Sequence, residues 1–247
     1  MRALSTTELF SVWEETLDQP LLSKTILLLS TACSVADNKT IATLSIGERD
    51  ARLFLLREWM FGTRMFHTAT CPACSEKMEW ETATTDLRVQ SFDDNFSPKI
   101  FKLSSKEFTI QYRLVNSLDI IQLLKSKIPA GNSKEILLQN CVEDVKKSGK
   151  NYRKSKLPAE IINAVEEEMA KTDPQADVQL NLSCSACNHQ WQVGFDIMSF
   201  FWTEINNWAQ RLMHEIFLLA RFFNWAEKDI LAMSPRRRQL YLKMING

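Results

Sequence analysis

The chain has 247 residues, 45% of them hydrophobic, and its 30 basic and 30 acidic side chains cancel. That composition supports a real core and leaves no global field to draw the chain to nucleic acid or an anionic membrane. The longest apolar run of the N-terminal half, 20–32, is broken by Ser23-Lys24-Thr25 and is too short to span a bilayer, and the start, Met1-Arg2-Ala3-Leu4-Ser5, lacks a signal peptide's apolar core.

The first 62 residues read as helical. Ser5-Thr6-Thr7-Glu8 has the form of a capping signal and predicts a helix through about Leu17. A second apolar helix follows Pro20. The third is the best defined: Ser45-Ile46-Gly47 opens a helix over 48–61, Glu48 sits four residues before Arg52, and Gly62 fits the stop. Leu53, Leu56 and Met60 form one apolar stripe, which Phe54, Leu55, Trp59 and Phe61 widen. Such a helix is either deeply buried or lends a face to a partner.

From Cys71 to about Leu114 the chain is β-like, with 70–90 around a first Cys-x-x-Cys and a hairpin of 100–103 and 108–114 about Ser104-Ser105-Lys106-Glu107. Helices are then expected over 120–127, 136–147 and from Pro158 to about Lys171. β sequence resumes around a second Cys-x-x-Cys. The tail returns to helix over 198–225, with steps of three and four from Phe201 through Ile205, Trp208, Leu212, Ile216 and Leu219 to Phe223. A short helix from Trp225 and a last one capped by Ser234-Pro235 complete the chain.

Cys71-Pro-Ala-Cys74 and Cys184-Ser-Ala-Cys187 hold four of the six cysteines. This spacing lets two thiolates turn onto one metal, so each pair is half of a tetrahedral four-cysteine zinc site. A shared metal would clamp two distant parts of the chain together. Redox pairs usually open a helix after a strand, whereas both pairs here are flanked by strand-like sequence, as in a zinc ribbon. Disulfides and redox chemistry remain the competing readings. Four matched thiolates leave no open position, so the expected Zn²⁺ is structural, and thiols set for metal point to a reducing compartment. His67 and His189 are possible substitute ligands, with incidental surface histidines the blander reading. Cys33 and Cys141 fit buried free thiols.

Arg236-Arg237-Arg238 invites a nucleic-acid reading, but three arginines at a helix start are more often a solvated face, and no wider basic stripe supports them. His214-Glu215 lacks the second histidine of a metalloprotease motif, so His214 is expected packed or half exposed. No Gly-rich phosphate loop and no Gly-x-Ser-x-Gly is present, so catalysis has no positive support.

Three segments in series resemble one family. They are Leu44-Ser45-Ile46-Gly47-Glu48-Arg49-Asp50-Ala51-Arg52-Leu53 running on to Phe61-Gly62; Cys71-Pro72-Ala73-Cys74-Ser75-Glu76-Lys77-Met78-Glu79; and Met213-His214-Glu215-Ile216 through Ile230-Leu231-Ala232-Met233-Ser234-Pro235 to Arg237-Arg238-Gln239-Leu240-Tyr241-Leu242. This order is similar to the baseplate hub assembly chaperones of T-even-like phages and their relatives in contractile injection systems. The likeness covers both ends and not the middle, about 116–175. Ser75 and Asn188 stand where a glycine more commonly completes a knuckle.

The resemblance implies a non-enzymatic protein of the bacterial or infected-cell cytoplasm. It would bind baseplate hub or spike proteins and assist assembly, with Cys71, Cys74, Cys184 and Cys187 on one Zn²⁺. Exposed aromatic faces suit such a role, and Arg49, Arg52, Trp59, Trp202, Trp208 and Arg237 are the candidate partner-facing residues. A permanent baseplate subunit and, from another class, a zinc-ribbon nucleic-acid-binding regulator are the alternatives, with a zinc hydrolase a distant third. The expected fold is α+β: N- and C-terminal helices around a β-rich, zinc-ribbon-like centre with a helical insert. Its segments are 1–62, 63–115, 116–175, 176–198 and 199–247, in one integrated domain.

Overall fold

The computed structural model describes residues 1–89, 96–126 and 133–246. Helices α1 (Thr6–Glu15), α2 (Leu21–Ala32), α3 (Asn38–Thr43) and α4 (Ile46–Phe61) come first. A hairpin of β1 (Arg64–Thr70) and β2 (Lys77–Ala83) leads through the short α5 (Thr84–Leu87) to β3 (Phe101–Ser105) and β4 (Phe108–Tyr112). Next are α6 (Ser117–Lys125), α7 (Ser133–Cys141), β5 (Val142–Lys147), β6 (Lys150–Asn151) and α8 (Ala159–Thr172). A hairpin of β7 (Val178–Ser183) and β8 (Gln190–Phe195) precedes α9 (Ile197–Phe223), α10 (Glu227–Leu231) and α11 (Pro235–Asn246). The class is α+β, as expected. Gln90 and Lys127, at the ends of two expected segments, lie outside the described residues. Among the described residues no helix is long and apolar enough to cross a membrane.

The chain divides into two compact units, Met1–Val35 with Ile197–Gly247, and Ala36–Asp196. In the first, α1 opens on a capping box: Glu8 N–H donates to Ser5 Oγ (3.2 Å) and Ser5 N–H to Glu8 Oε2 (2.9 Å). α1 and α2 pack on α9, where Trp13 Nε1 donates to Asn206 Oδ1 (3.1 Å) and Lys24 Nζ lies 5.0 Å above the Trp202 ring. Of the predicted stripe, Phe201, Ile205, Leu212 and Leu219 are buried and Trp208, Ile216 and Phe223 half-buried. α10 and α11 close on the other end of α9 around Leu219, Ile230 and Leu242. Arg238 ties α11 down. It is 2% exposed and donates to Glu215 Oε2 (2.9 Å) and the Met233 carbonyl (2.8 Å). The arginine run is therefore not a solvated face throughout, because only Arg236 and Arg237 are exposed. His214 is exposed rather than packed.

The second unit carries three antiparallel sheets, β1-β2, β3-β4-β5-β6 and β7-β8. Ile110, Tyr112, Val142 and Val145 of the four-stranded sheet bury themselves with Ile161, Val165 and Met169 of α8. The helix expected over 136–147 ends at Cys141, and the chain continues as β5. The spacing of Leu138, Cys141, Val142 and Val145 fits a helical face, but pairing with β4 and the turn at Ser148-Gly149, both at positive φ (48° and 79°), draw the segment into the sheet. Cys33 and Cys141 are fully buried, and neither is in a disulfide.

The start of α4 is where the second unit is stitched together. Ser45 Oγ accepts from Glu48 N–H (3.1 Å) and donates to Asp173 Oδ1 (3.1 Å), and Gly47 N–H donates to Asp173 Oδ2 (3.0 Å). A carboxylate at an unsatisfied helix N-terminus is favourable twice, for its hydrogen bonds and for the dipole. Asn116 bridges to Ser45 and caps α6, whose Asp119 takes both ends of the Arg113 guanidinium (2.6 and 2.8 Å). Gln175, 1% exposed, receives Val89 N–H (2.8 Å) and donates to the Leu87 carbonyl (3.1 Å). At the far end of α4, Arg57 donates to the carbonyls of Gly62 (2.6 Å) and Arg64 (2.7 Å), and Gly62 stops the helix at φ 87°.

Candidate metal centre

Two hairpins of identical plan carry the paired cysteines. β1 and β2 pair as far as Thr70↔Lys77, and β7 and β8 as far as Ser183↔Gln190, so each turn starts with its first cysteine and spans six residues. Cys71 N–H donates to the Glu76 carbonyl and Cys184 N–H to that of His189, both at 2.9 Å. Ser75 and Asn188 N–H return to the Cys71 and Cys184 carbonyls, again at 2.9 Å. Both residues are in the left-handed region, φ 63° and 57°. Serine and asparagine therefore adopt the conformation that glycine usually supplies, and the turn geometry is kept.

These turns bring four sulfurs together within 4.8 Å of one another. Two of the approaches run between hairpins, Cys71 to Cys187 at 3.7 Å and Cys74 to Cys184 at 3.6 Å. Zinc–sulfur bonds of about 2.3 Å in a tetrahedron place sulfurs about 3.8 Å apart, so the spacing fits one ion and the donor chemistry suits it. Cys71 and Cys184 are buried, while Cys74 and Cys187 are exposed. Backbone N–H groups of Cys187 and Ala186 donate to the Cys184 thiol and outweigh its burial, pulling its pKa down to about 7. At Cys74 the Glu76 N–H pulls down, but the Cys187 thiol, burial and the Cys184 and Cys71 thiols together outweigh it and push the pKa up to about 12. Four adjacent thiolates repel one another, and a divalent cation removes that repulsion.

An aromatic cluster backs the centre, and sequence reasoning missed it. His67 is 7% exposed, not an incidental surface residue. Its ring stacks on Trp80 (5.3 Å), meets the edge of Phe195 from the other hairpin (5.5 Å), and its Nε2 lies 2.8 Å from Thr82 Oγ1. Phe195 in turn packs on Phe54 of α4 at 5.8 Å. The available signal was the strand alternation of β1, which turns Met65 and His67 inward. His189 is exposed and stacks on Trp191 (5.8 Å).

The candidate partner-facing residues do not form one group. Arg49 and Arg52 are 3% and 1% exposed and turn into the fold instead of toward a partner. Arg49 holds Asp50 Oδ1 (2.7 Å) and Ser117 Oγ (3.2 Å), while Arg52 donates to the Glu48 carbonyl (3.0 Å) and lies over Phe96. Trp59 is exposed at the end of α4, and Arg237 is exposed beside Tyr241. Trp202 and Trp208 are half-buried on α9.

The model of one family, described as T4 bacteriophage base plate protein, matches residues 5–202. The chain belongs to that family. No curated protein and no solved structure matches it. For this base plate protein the matched range takes in both cysteine hairpins, the α4 segment and the middle at 116–175 that carried no resemblance in the sequence. It stops short of the third resembling segment, from Met213 onward.

Proposed function

We propose that this base plate protein binds hub or spike components of a contractile tail and assists their assembly without enzymatic chemistry. It acts in the cytoplasm of the infected or producing bacterial cell. Cys71, Cys74, Cys184 and Cys187 hold one structural Zn²⁺ that joins the β1–β2 and β7–β8 hairpins. The family match over residues 5–202 carries the reading, and the cysteine cluster within that range supports its metal part. Four thiolates on zinc leave no open coordination position, which favours a scaffolding ion over a catalytic one.

The family's description as a base plate protein also favours a second reading, a subunit that stays in the finished particle. Quantitative mass spectrometry of purified particles against lysate of the producing cells separates the two. Abundance in lysate with absence from particles means an assembly factor that leaves. A fixed small copy number per particle means a retained subunit, and absence from any baseplate intermediate overturns both.

A further inference from the structure

The β5–β6 hairpin and the turn after it concentrate positive charge in a chain whose basic and acidic residues cancel overall. Residues 145–159 contain Lys146, Lys147, Lys150, Arg153, Lys154 and Lys156 and no acidic residue. Lys150, Arg153, Lys154 and Lys156 are all exposed. Lys147 and Lys150 face each other across the Ser148-Gly149 turn, and like charges directly opposite in a hairpin are destabilising. Glu107 relieves Lys147 at 2.9 Å, but among the described residues Lys150, Arg153 and Lys156 have no acidic partner.

Lysines on an edge strand guard a sheet against pairing with other chains, and β6 is such an edge. That accounts for Lys150. It does not account for Arg153 and Lys156, which stand on a 3-10 turn, Lys154–Lys156 and its preceding residue, outside the ladder.

We propose that this basic hairpin is a docking surface for an acidic face of another baseplate protein, an inference that rests on the baseplate reading above. Charge complementarity chooses the partner class. The unpaired cations are rimmed by carboxylates: Glu107 beside Lys147, Asp144 beside Lys146 and Glu160 paired with Lys106. A rim of mixed sign suits a protein surface with discrete carboxylates and scattered cations, and it repels a continuous phosphate backbone. The hairpin's Tyr152 is also already engaged, in a T-shaped pair with Phe108 (5.3 Å), beneath Lys147 Nζ (5.8 Å to the ring centre) and with its hydroxyl on the Lys156 carbonyl (3.1 Å), so it is not a ready platform for stacking a base.

Carbodiimide cross-linking, which joins an amine directly to a carboxylate, tests this in lysate of cells assembling tails. The expected result is peptides linking Lys150 or Lys156 to Asp or Glu of a second baseplate protein. The combined Lys150→Glu, Arg153→Glu, Lys156→Glu chain should co-purify with that protein about tenfold less, with an unchanged melting temperature. Links to baseplate proteins from other lysines only would overturn the docking surface and leave the baseplate reading standing. No link to any baseplate protein would overturn both. A hairpin peptide carrying a nucleotide after ultraviolet irradiation would overturn the protein partner in favour of nucleic acid.

Discussion

Gly47 shows how tightly one position can be held in this chain. A Cβ there would lie 2.0 Å from Asp173 Oδ1 and 2.7 Å from its Cγ, with the Ala176 backbone nitrogen at 3.2 Å. The carboxylate cannot swing away without giving up its bonds to Ser45 and Gly47 itself. Gly47→Ala gains about 1 kcal/mol of helix propensity but loses this anchorage, so a net cost of about 1–3 kcal/mol is expected in urea unfolding. Ser75 poses the opposite case, a non-glycine residue at φ 63°. Ser75→Gly is expected to stabilise by up to about 1 kcal/mol and Ser75→Val to destabilise, since β-branched side chains tolerate that region worst. Asp50 gives the chain a pH dependence of its own. Burial pushes its carboxyl up to about 6, with Arg49 pulling down and Asp196 and Asp173 pushing up further. The 2.7 Å contact with Arg49 is thus outweighed by desolvation. The folded pKa lies above the unfolded value of about 3.9, so the native state holds the proton that the unfolded chain gives up, and the contribution is complete below about pH 4 and lost as pH rises through 6. Urea titrations from pH 4 to 7 should show wild type losing on the order of 3 kcal/mol relative to Asp50→Asn, and parallel profiles would refute the assignment.

At the scale of elements, what could be read from the sequence depended on whether the signal was local. The capping box at Ser5, the Gly62 stop and the period of α9 are local, and the helices form where those signals place them. The segment 133–147 has two compatible local readings, and the choice between helix and strand is made by β4, some thirty residues earlier in the chain. Arg238 was illegible for the same reason. Nothing beside it marks it off from Arg236 and Arg237, and its difference comes from Glu215 on another helix. That distinction is measurable. Arg238→Ala leaves a partly buried Glu215 carboxylate without its cation and should cost about 3 kcal/mol, seen as faster amide exchange across α10 and α11. Arg237→Ala, at an exposed site, should stay within about 0.5 kcal/mol of wild type. Equal effects of the two substitutions would mean that the Glu215 pair does not hold α11.

For the whole molecule, the four cysteines were legible because ligand chemistry is written in residue type and spacing, and two matching Cys-x-x-Cys turns need no tertiary information to stand out. The network that surrounds them was not, because Asp173, Gln175 and Asn116 are ordinary loop residues until the chain folds back on α4. Both systems lie within the second unit. Asp173, with Ser45 and Gly47, fastens the start of α4, while the proposed zinc would join hairpins whose facing residues, Cys74 and Cys184, are 110 positions apart in sequence. A cross-link spanning so much chain restricts the unfolded state strongly, and structural zinc contributes roughly 10–16 kcal/mol in small zinc-binding domains, comparable to the roughly 5–15 kcal/mol of total stability of an ordinary domain. Chelation should therefore do more than loosen a loop. Hydrogen exchange after treatment with a strong chelator is expected to expose the amides of β1, β2, β7 and β8, while those of α9 at Leu212 and Leu219 stay protected. Cys71→Ser and Cys184→Ser should each reproduce that pattern and bring bound zinc from one ion per chain toward none, because either one opens the same tetrahedron from opposite hairpins. If one of them kept full zinc and unchanged protection, the two hairpins would not share a metal, and the aromatic stack of His67, Trp80 and Phe195 would be left as the contact that holds them together.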